Sequence, residues 1–151
     1  MLPIVPPPVL LSAYAQGLFP MAESRRDQDI FWVEPRERAI IPIGGFHCSR
    51  SLARTIRRDV FTITVDSDFA GTIVECAAPR ADAEDTWISG RIAASYQRLH
   101  EVGHAHSIEC RQNGELVGGV TEEEQVRSGD FHTSKLAGAQ SGVKNSAASD
   151  S

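Results

Sequence analysis

The sequence predicts an α/β (α+β) fold in which helices alternate with short strands and the last two strands form a hairpin. Three observations predict it. Four apolar residues between Ile88 and Leu99 are spaced as one face of a helix. Asn113-Gly114 lies between two strand-like runs and is the strongest two-residue hairpin signal. The 151 residues are 41% hydrophobic and 23% charged, which provides enough apolar surface for a core.

For the N-terminal part of the chain, the sequence predicts one helix and two short strands. A run of prolines suits the start of a helix over Val9–Gln16, and Gly17 is expected to end it. Ile30–Val33 is rich in strand-forming residues. Arg38–Ile43 predicts an edge strand, because its proline cannot donate to a sheet ladder.

A basic helix follows. Ser49 is a good N-cap for a helix over Ser49–Arg58, in which Leu52 and Ile56 are expected on the buried side. Residues 36–58 contain six arginines and one glutamate, a net charge of +5, whereas the whole chain carries −5. A second stripe on this helix consists of Arg50, Arg54, Arg57 and Arg58. Such a stripe either binds phosphate or faces water, and both interpretations stay open here.

The second half of the chain predicts strand, helix, helix and hairpin. Phe61–Val65 alternates like a half-buried strand. Asp66 or Ser67 is expected to cap the helix that follows it. After the second helix, the hairpin strands are predicted over His104–Arg111 and Glu115–Val120.

Residues 121–151 differ in composition from the rest of the chain. Ser, Ala, Gly and Lys dominate the end of this segment, which cannot bury enough surface to offset its ordering entropy and is predicted to be disordered. The chain has three cysteines, an odd number without zinc-like pairing, which indicates reduced thiols. No apolar run approaches the roughly 18 residues of a spanning helix. A soluble cytoplasmic protein with no membrane association is therefore expected.

The histidines of the predicted hairpin raise the question of a metal site. His104 and His106 share a strand face with Cys110, and this set could ligate zinc. No fourth ligand has suitable spacing, and His100 is only a remote candidate, so packing roles are favoured and no metal is predicted. Glu109 points to the opposite face; a salt-bridged surface residue is expected there, with a general base as the alternative.

Two aromatic residues are candidates for core or ligand contact. Tyr96 is expected to pack in the core. Trp87 lies between a polar loop and a helix start, where a large ring either packs or stacks on a base. The sequence contains no glycine-rich phosphate loop and no identifiable nucleophile-base set.

Several stretches together resemble the bacterial leucyl/phenylalanyl-tRNA–protein transferases over about residues 9–120. The most specific are GLFP at 17–20 and LHEVGHAHSIE at 99–109. Further stretches are AYAQGLFPMAE (13–23), IFWVEPRERAIIP (30–42), FHCSRSLART (46–55), FTITVD (61–66), CAAPR (76–80), TWI (86–88) and GELVGGV (114–120).

The resemblance implies an aminoacyltransferase that moves leucine or phenylalanine from its tRNA to a protein beginning with Lys or Arg, marking it for degradation. It implies a GNAT-like acyltransferase fold that takes aminoacyl-tRNA instead of acyl-CoA, and no cofactor. The expected organisation is a small N-terminal subdomain over residues 1–37, the first half of the GNAT-like domain over 38–120, and a non-family tail over 121–151. A cytoplasmic monomer is expected.

The resemblance also implies roles for single residues. Trp87 matches a pocket tryptophan that stacks on the terminal adenine, and Met21 stands where some members have another tryptophan. Tyr14 and Tyr96 match tyrosines near the substrate, and Val120 matches an apolar residue that contacts the aminoacyl group. Arg50, Arg54, Arg57 and Arg58 match a basic patch that holds the acceptor stem.

The sequence departs from the family after its glycine pair. The family continues there with a strand, a Phe-Gly-Glu-Ser-Met-Phe-Ser string and a late Asp-x-Gln set that helps to activate the accepting amine. Residues from Thr121 do not match these features. We therefore identify no catalytic residues and expect no measurable transfer by this chain alone. The alternatives are a non-catalytic tRNA-binding fragment and a poorly folded product.

Overall fold

A computed structural model of the chain describes residues 3–39, 41–42, 44–81 and 83–123. The helices are α1 (Pro7–Ala15), α2 (Arg50–Arg57), α3 (Phe69–Cys76) and α4 (Gly90–Glu101). The strands are β1 (Phe19–Met21), β2 (Phe31–Val33), β3 (Thr62–Val65), β4 (Ala105–Gln112) and β5 (Glu115–Glu123). The predicted mixture of helix and sheet is confirmed. The predicted disorder of residues 124–151 falls outside the described residues.

The first helix forms where the sequence predicts it. It starts in a proline run and buries Leu10 and Tyr14. Gly17 ends it with a φ of 83°, a conformation that costs glycine little. Its N–H donates to the Tyr14 carbonyl at 2.9 Å, and the Leu18 N–H donates to the Ala13 carbonyl at 2.9 Å, which satisfies the last turn.

A small antiparallel sheet follows α1. β1 pairs with β2 in the register Phe19 to Val33 and Met21 to Phe31. The strand at 30–33 is confirmed, whereas β1 was not predicted. The prediction of an edge strand at Arg38–Ile43 is wrong, because the residues that the structure describes in this range are irregular.

The larger sheet has the order β3-β4-β5 and is antiparallel throughout. The predicted hairpin is confirmed: Asn113 and Gly114 have φ values of 50° and 81°, as a tight turn with two left-handed residues requires. β5 continues to Glu123, so the tail boundary predicted at Val120 is wrong over residues 121–123.

Helices α3 and α4 cover one face of this sheet. On β4 that face carries Ala105, Ser107 and Glu109, which are all buried. The alternate residues point to the opposite face, where Ile108 is 41% exposed. We call this opposite side of the sheet the open face.

The core lies between α1, α3, α4 and the covered face. The helical stripe predicted on α4 is confirmed for Ile92, Tyr96 and Leu99, which lie on the helix and are buried. Ile88 is buried too, but it precedes the helix, whose N-cap is Ser89. The N-terminal segment is tied to α4, because the Val5 N–H donates to Ser95 Oγ at 2.9 Å. In the described part of the chain, no helix is long and apolar enough to cross a membrane.

Two predictions about helices are wrong. The helix at Ser49–Arg58 forms, and Ser49 caps it, but Leu52 is 40% exposed and Ile56 is 62% exposed. None of the described residues therefore covers the apolar side of α2. Helix α3 is capped by Asp68, whose carboxylate accepts the Gly71 N–H at 2.9 Å, and not by Asp66 or Ser67.

Candidate functional site

The four predicted arginines lie together on the exposed surface of α2. Ser49 Oγ accepts the Leu52 N–H at 3.2 Å and so fixes the first turn of the helix. The arginine side chains are exposed and form no ion pair with any residue that the structure describes; they are Arg50, Arg54, Arg57 and Arg58. At 1.5 Å per residue they extend over about 12 Å. We call this group the arginine stripe.

The arginine stripe can bind an anionic chain. Each guanidinium presents a planar fork of donors that fits phosphate oxygens. Because the stripe lacks carboxylate partners among the described residues, a phosphate ligand would not have to displace an existing ion pair. The rest of the chain is acidic, so the positive potential is local to this surface.

Trp87 and the end of β1 lie side by side. The Trp87 carbonyl accepts the Ala22 N–H at 3.0 Å, which places Met21 beside the loop that carries the tryptophan. Asp85 strengthens this junction, since its Oδ1 accepts the Arg25 N–H at 2.7 Å and the Thr86 N–H at 2.8 Å. The Trp87 side chain is partly buried against the core. Trp87 as a residue therefore keeps some exposure to solvent while its side chain packs against the core.

Tyr14 and Tyr96 lie in the core below this junction. They are 3% and 2% exposed, respectively. Burial raises the pKa of both hydroxyls, and the carboxylate of Glu123 raises the pKa further. Both hydroxyls are therefore neutral at physiological pH. Tyr96 packs in the core, as expected from the sequence.

Val120 lies on the open face. It stands opposite Ile108 in the β4–β5 register, and Ile108 stands opposite Val65 of β3. The Val120 side chain is partly buried. The arrangement makes Val120 part of an apolar surface.

A buried carboxylate sits behind the open face. Glu109 is 0% exposed, so the prediction of a salt-bridged surface residue is wrong. Its Oε2 accepts from the Thr64 hydroxyl at 2.7 Å and the Ser67 hydroxyl at 2.8 Å. Its Oε1 accepts from the Ser107 hydroxyl and from the Asp68 N–H. Burial opposes ionisation of Glu109, but these hydrogen bonds outweigh it and lower the pKa to about 2.

The histidines are held by structural contacts. His106 Nδ1 lies 2.8 Å from Asp66 Oδ2, and the Ser107 N–H donates to Asp66 Oδ1 at 2.9 Å. The His106 hydrogen bond contributes most to lowering the pKa of Asp66. His100 Nδ1 lies 2.8 Å from the Ala105 carbonyl oxygen, and its ring stacks on Phe69 at 4.4 Å. Among the described residues, no group of three histidines, cysteines or carboxylates is arranged to hold a metal ion.

Sequence reasoning missed the Glu109 network and the Asp66–His106 pair. Ser107 and Glu109 alternate on β4, so their shared face was predictable. The contributions of Thr64 and Ser67 depend on how β3 pairs with β4, which the sequence did not reveal. A shallow cleft of about 380 Å³ between α1 and Trp32 contains none of the predicted site residues in its lining.

The arginine stripe and the Trp87 junction lie within sequence that matches known proteins. Residues 40–126 match the family described as leucyl/phenylalanyl-tRNA protein transferase, and residues 5–36 match its N-terminal domain. The match extends past Val120, where we expected the resemblance to end.

Individual relatives agree with this assignment. The chain is 61% identical over 116 residues to the leucyl/phenylalanyl-tRNA–protein transferase of Novosphingobium aromaticivorans, covering 77% of this chain and 44% of that protein. It is 55% identical over 116 residues to the same-named protein of Rhodopseudomonas palustris, covering 77% and 52%. It is 57% identical over 118 residues to that of Cereibacter sphaeroides, covering 78% and 53%. The chain thus spans about half the length of these relatives.

Proposed function

Because the chain belongs to the leucyl/phenylalanyl-tRNA protein transferase family, we propose that it takes part in the transfer of leucine or phenylalanine from aminoacyl-tRNA to proteins. The acceptor would be a protein whose first residue is Lys or Arg, and the product would be marked for degradation in the cytoplasm. In this reaction the chain would bind the aminoacyl-tRNA. It would act as a monomer and bind through a GNAT-like domain. No cofactor is needed for this role.

The observation that carries the proposal is the arginine stripe. The four cations lie on one side of α2, are exposed, and have no carboxylate partner among the described residues. Phosphate groups of a tRNA acceptor stem would satisfy these cations and give a salt-dependent affinity. The stripe is therefore the proposed tRNA-binding surface.

The Trp87 junction would receive the end of the tRNA. The partly buried Trp87 ring would provide the face on which the terminal adenine stacks, a contact worth roughly 1–3 kcal/mol. Met21 precedes Ala22, whose N–H donates to the Trp87 carbonyl, and would offer an apolar contact. Tyr14 and Tyr96 share the core against which Trp87 packs, and they would shape this pocket from below. Val120 would contact the aminoacyl group from the open face.

The reaction itself needs mainly positioning. The α-amine nitrogen of the acceptor attacks the carbonyl carbon of the aminoacyl ester, a C–N bond forms, and the C–O bond to the ribose breaks. The proton lost by the amine balances the proton gained by the ribose oxygen. Correct placement of the two reactants accounts for much of such a rate enhancement. We assign no proton acceptor among the residues that the structure describes.

Binding of fluorescent leucyl-tRNA tests the stripe. We expect the double substitution Arg54→Ala and Arg57→Ala to weaken binding about tenfold, a loss of about 1.4 kcal/mol. Arg98→Ala removes an arginine from α4, where it pairs with Glu101 at 3.0 Å, and serves as the matched control. Equal affinity of the double variant and the control would contradict the proposal.

A shortened tRNA tests the stacking contact. Trp87→Ala should weaken binding of intact leucyl-tRNA by tenfold or more. The same substitution should leave binding of a tRNA that lacks its terminal adenosine unchanged. Trp87→Phe keeps a ring at this position and controls for lost packing. A loss of the same size with both tRNAs would assign Trp87 to structure alone.

A further inference from the structure

Strand β2 exposes two aromatic rings. Phe31 is 45% exposed and Trp32 is 40% exposed in the part of the chain that the structure describes. The two residues are neighbours on a three-residue strand, so their side chains point to opposite faces of the β1–β2 pair. Aromatic residues that remain this exposed are enriched at surfaces that contact other molecules, and every nucleic-acid base can stack on such a ring.

The two rings have different surroundings. Trp32 stands opposite Pro20 and lines the shallow cleft beside α1. Phe31 stands opposite Met21 on the other face of the β1–β2 pair. Side chains that are directly opposite in an antiparallel pair have Cβ atoms about 4.5–5.5 Å apart. Phe31 therefore forms one surface with Met21, and Trp32 does not.

The backbone that carries Phe31 is held in place. Ile30, the residue before it, packs against the core. Arg91 on α4 fixes the segment that leads into β2, since its Nη1 donates to the Gln28 carbonyl at 3.0 Å and its Nε donates to the Pro3 carbonyl at 2.7 Å. A ring on a fixed strand loses little further freedom when a ligand binds to it.

The spacing between β2 and the Trp87 segment suits stacked bases. The Ala22 N–H, just after β1, donates to the Trp87 carbonyl at 3.0 Å, and β1 pairs directly with β2. Two such spacings place the backbones of Trp87 and Phe31 about 10 Å apart. Stacked bases rise by about 3.4 Å each, so this distance equals about three stacking steps. Two consecutive bases therefore span it.

We propose that Phe31 stacks on the base that precedes the terminal adenosine of the bound tRNA. The inference rests on the proposed function, in which Trp87 receives the terminal adenine. The contact is with a base and not with a phosphate, because residues 22–34 contain four carboxylates and two arginines, a net charge of −2. Phe31 would thus position the tRNA end, while the arginine stripe binds phosphates.

Binding of leucine tRNA of three lengths tests this contact. The tRNAs carry no amino acid and are intact, lack the terminal adenosine, or lack the last two nucleotides. Phe31→Leu removes the ring and keeps an apolar side chain. It should weaken binding of the first two tRNAs at least fivefold and leave binding of the third unchanged. The slope of log affinity against log salt should not change, because no phosphate contact is lost.

Two variants control for the ring and for the strand. Phe31→Trp keeps an aromatic face at this position and should bind all three tRNAs as the wild type does. Trp32→Leu removes a similarly exposed ring from the same strand, on the opposite face, and should change none of the three affinities. Equal effects of Phe31→Leu and Trp32→Leu would overturn the proposal.

A spectroscopic measurement reports the stacking itself. A fluorescent base analogue is placed before the terminal adenosine, and its emission should be quenched when the wild type binds. Phe31→Leu should reduce this quenching at least twofold at saturating protein, whereas Trp32→Leu should not alter it. The same quenching with Phe31→Leu as with the wild type would contradict the contact.

The remaining outcomes also decide the matter. A loss of the same size with all three tRNAs, or with none, would overturn the role of Phe31, and a loss confined to intact tRNA would place Phe31 on the adenine instead. Weaker binding of a peptide that begins with Arg, at unchanged tRNA affinity, would assign Phe31 to the acceptor. A wild type that binds no tRNA would overturn the proposed function itself. Binding that depends on the arginine stripe but not on Phe31 would overturn only this inference.

Discussion

The substitution Glu109→Gln removes the charge from the buried hydrogen-bond network. The hydrogen bonds lower the pKa of Glu109 from an ordinary 4.5 to about 2, a difference worth about 3 kcal/mol at 1.36 kcal/mol per unit. Glutamine keeps one acceptor oxygen, but in either orientation its NH₂ group would meet a pair of donors that now bind a carboxylate oxygen. We therefore expect the free energy of unfolding at pH 7 to fall by about 3 kcal/mol.

The pH dependence identifies the cause of this loss. Because the folded-state pKa is depressed, the stabilisation by Glu109 is fully present above pH 4.5 and is lost as the pH falls towards 2. The difference between wild type and Glu109→Gln, measured by urea unfolding, should shrink by about 1.4 kcal/mol per pH unit below 4.5. Glu115→Gln, at an exposed position on the hairpin, should show no such change. A difference that stays constant from pH 7 to 3.5 would refute the ionised network.

Three further substitutions test the core, the sheet and the basic helix. Leu99→Ala, at a fully buried position, should lower the free energy of unfolding by about 2–5 kcal/mol in urea. Gly119→Ala should destabilise the fold by about 1–3 kcal/mol, because the new Cβ would lie 2.8 Å from Thr72 Cγ2. Gly118→Ala, where no such clash exists, should be neutral, and equal effects of the two would contradict the packing. Ser49→Ala removes a helix cap worth about 1 kcal/mol, so amide hydrogen exchange in α2 should become about fivefold faster. Global unfolding should not shift. An unchanged exchange rate would show that the cap contributes nothing.

The parts of the fold set by local sequence were predictable. The α4 helix needs only the spacing of its apolar residues, and the hairpin needs only Asn113-Gly114. Leu52 and Ile56 show the limit of such patterns. Their spacing identifies the apolar side of α2, but whether another element covers that side depends on the rest of the domain.

The candidate site was predictable to a similar extent. The arginine stripe follows from helical periodicity, and the structure places all four side chains on the surface. The burial of Glu109 was missed, because strand alternation separates two faces without showing which one the helices cover. The pairing of Asp66 with His106 arises from residues 40 positions apart, which no local pattern connects.

The central claim is that the arginine stripe on α2 binds tRNA phosphates. Its most direct test is the salt dependence of leucyl-tRNA binding by the wild type and by the Arg54→Ala, Arg57→Ala variant. Each lost phosphate contact should reduce the slope of log affinity against log salt by about 0.7–0.9. We predict that the slope of the double variant is shallower by about 1.5 and that Arg98→Ala leaves it unchanged. The same slope in all three proteins would contradict the claim.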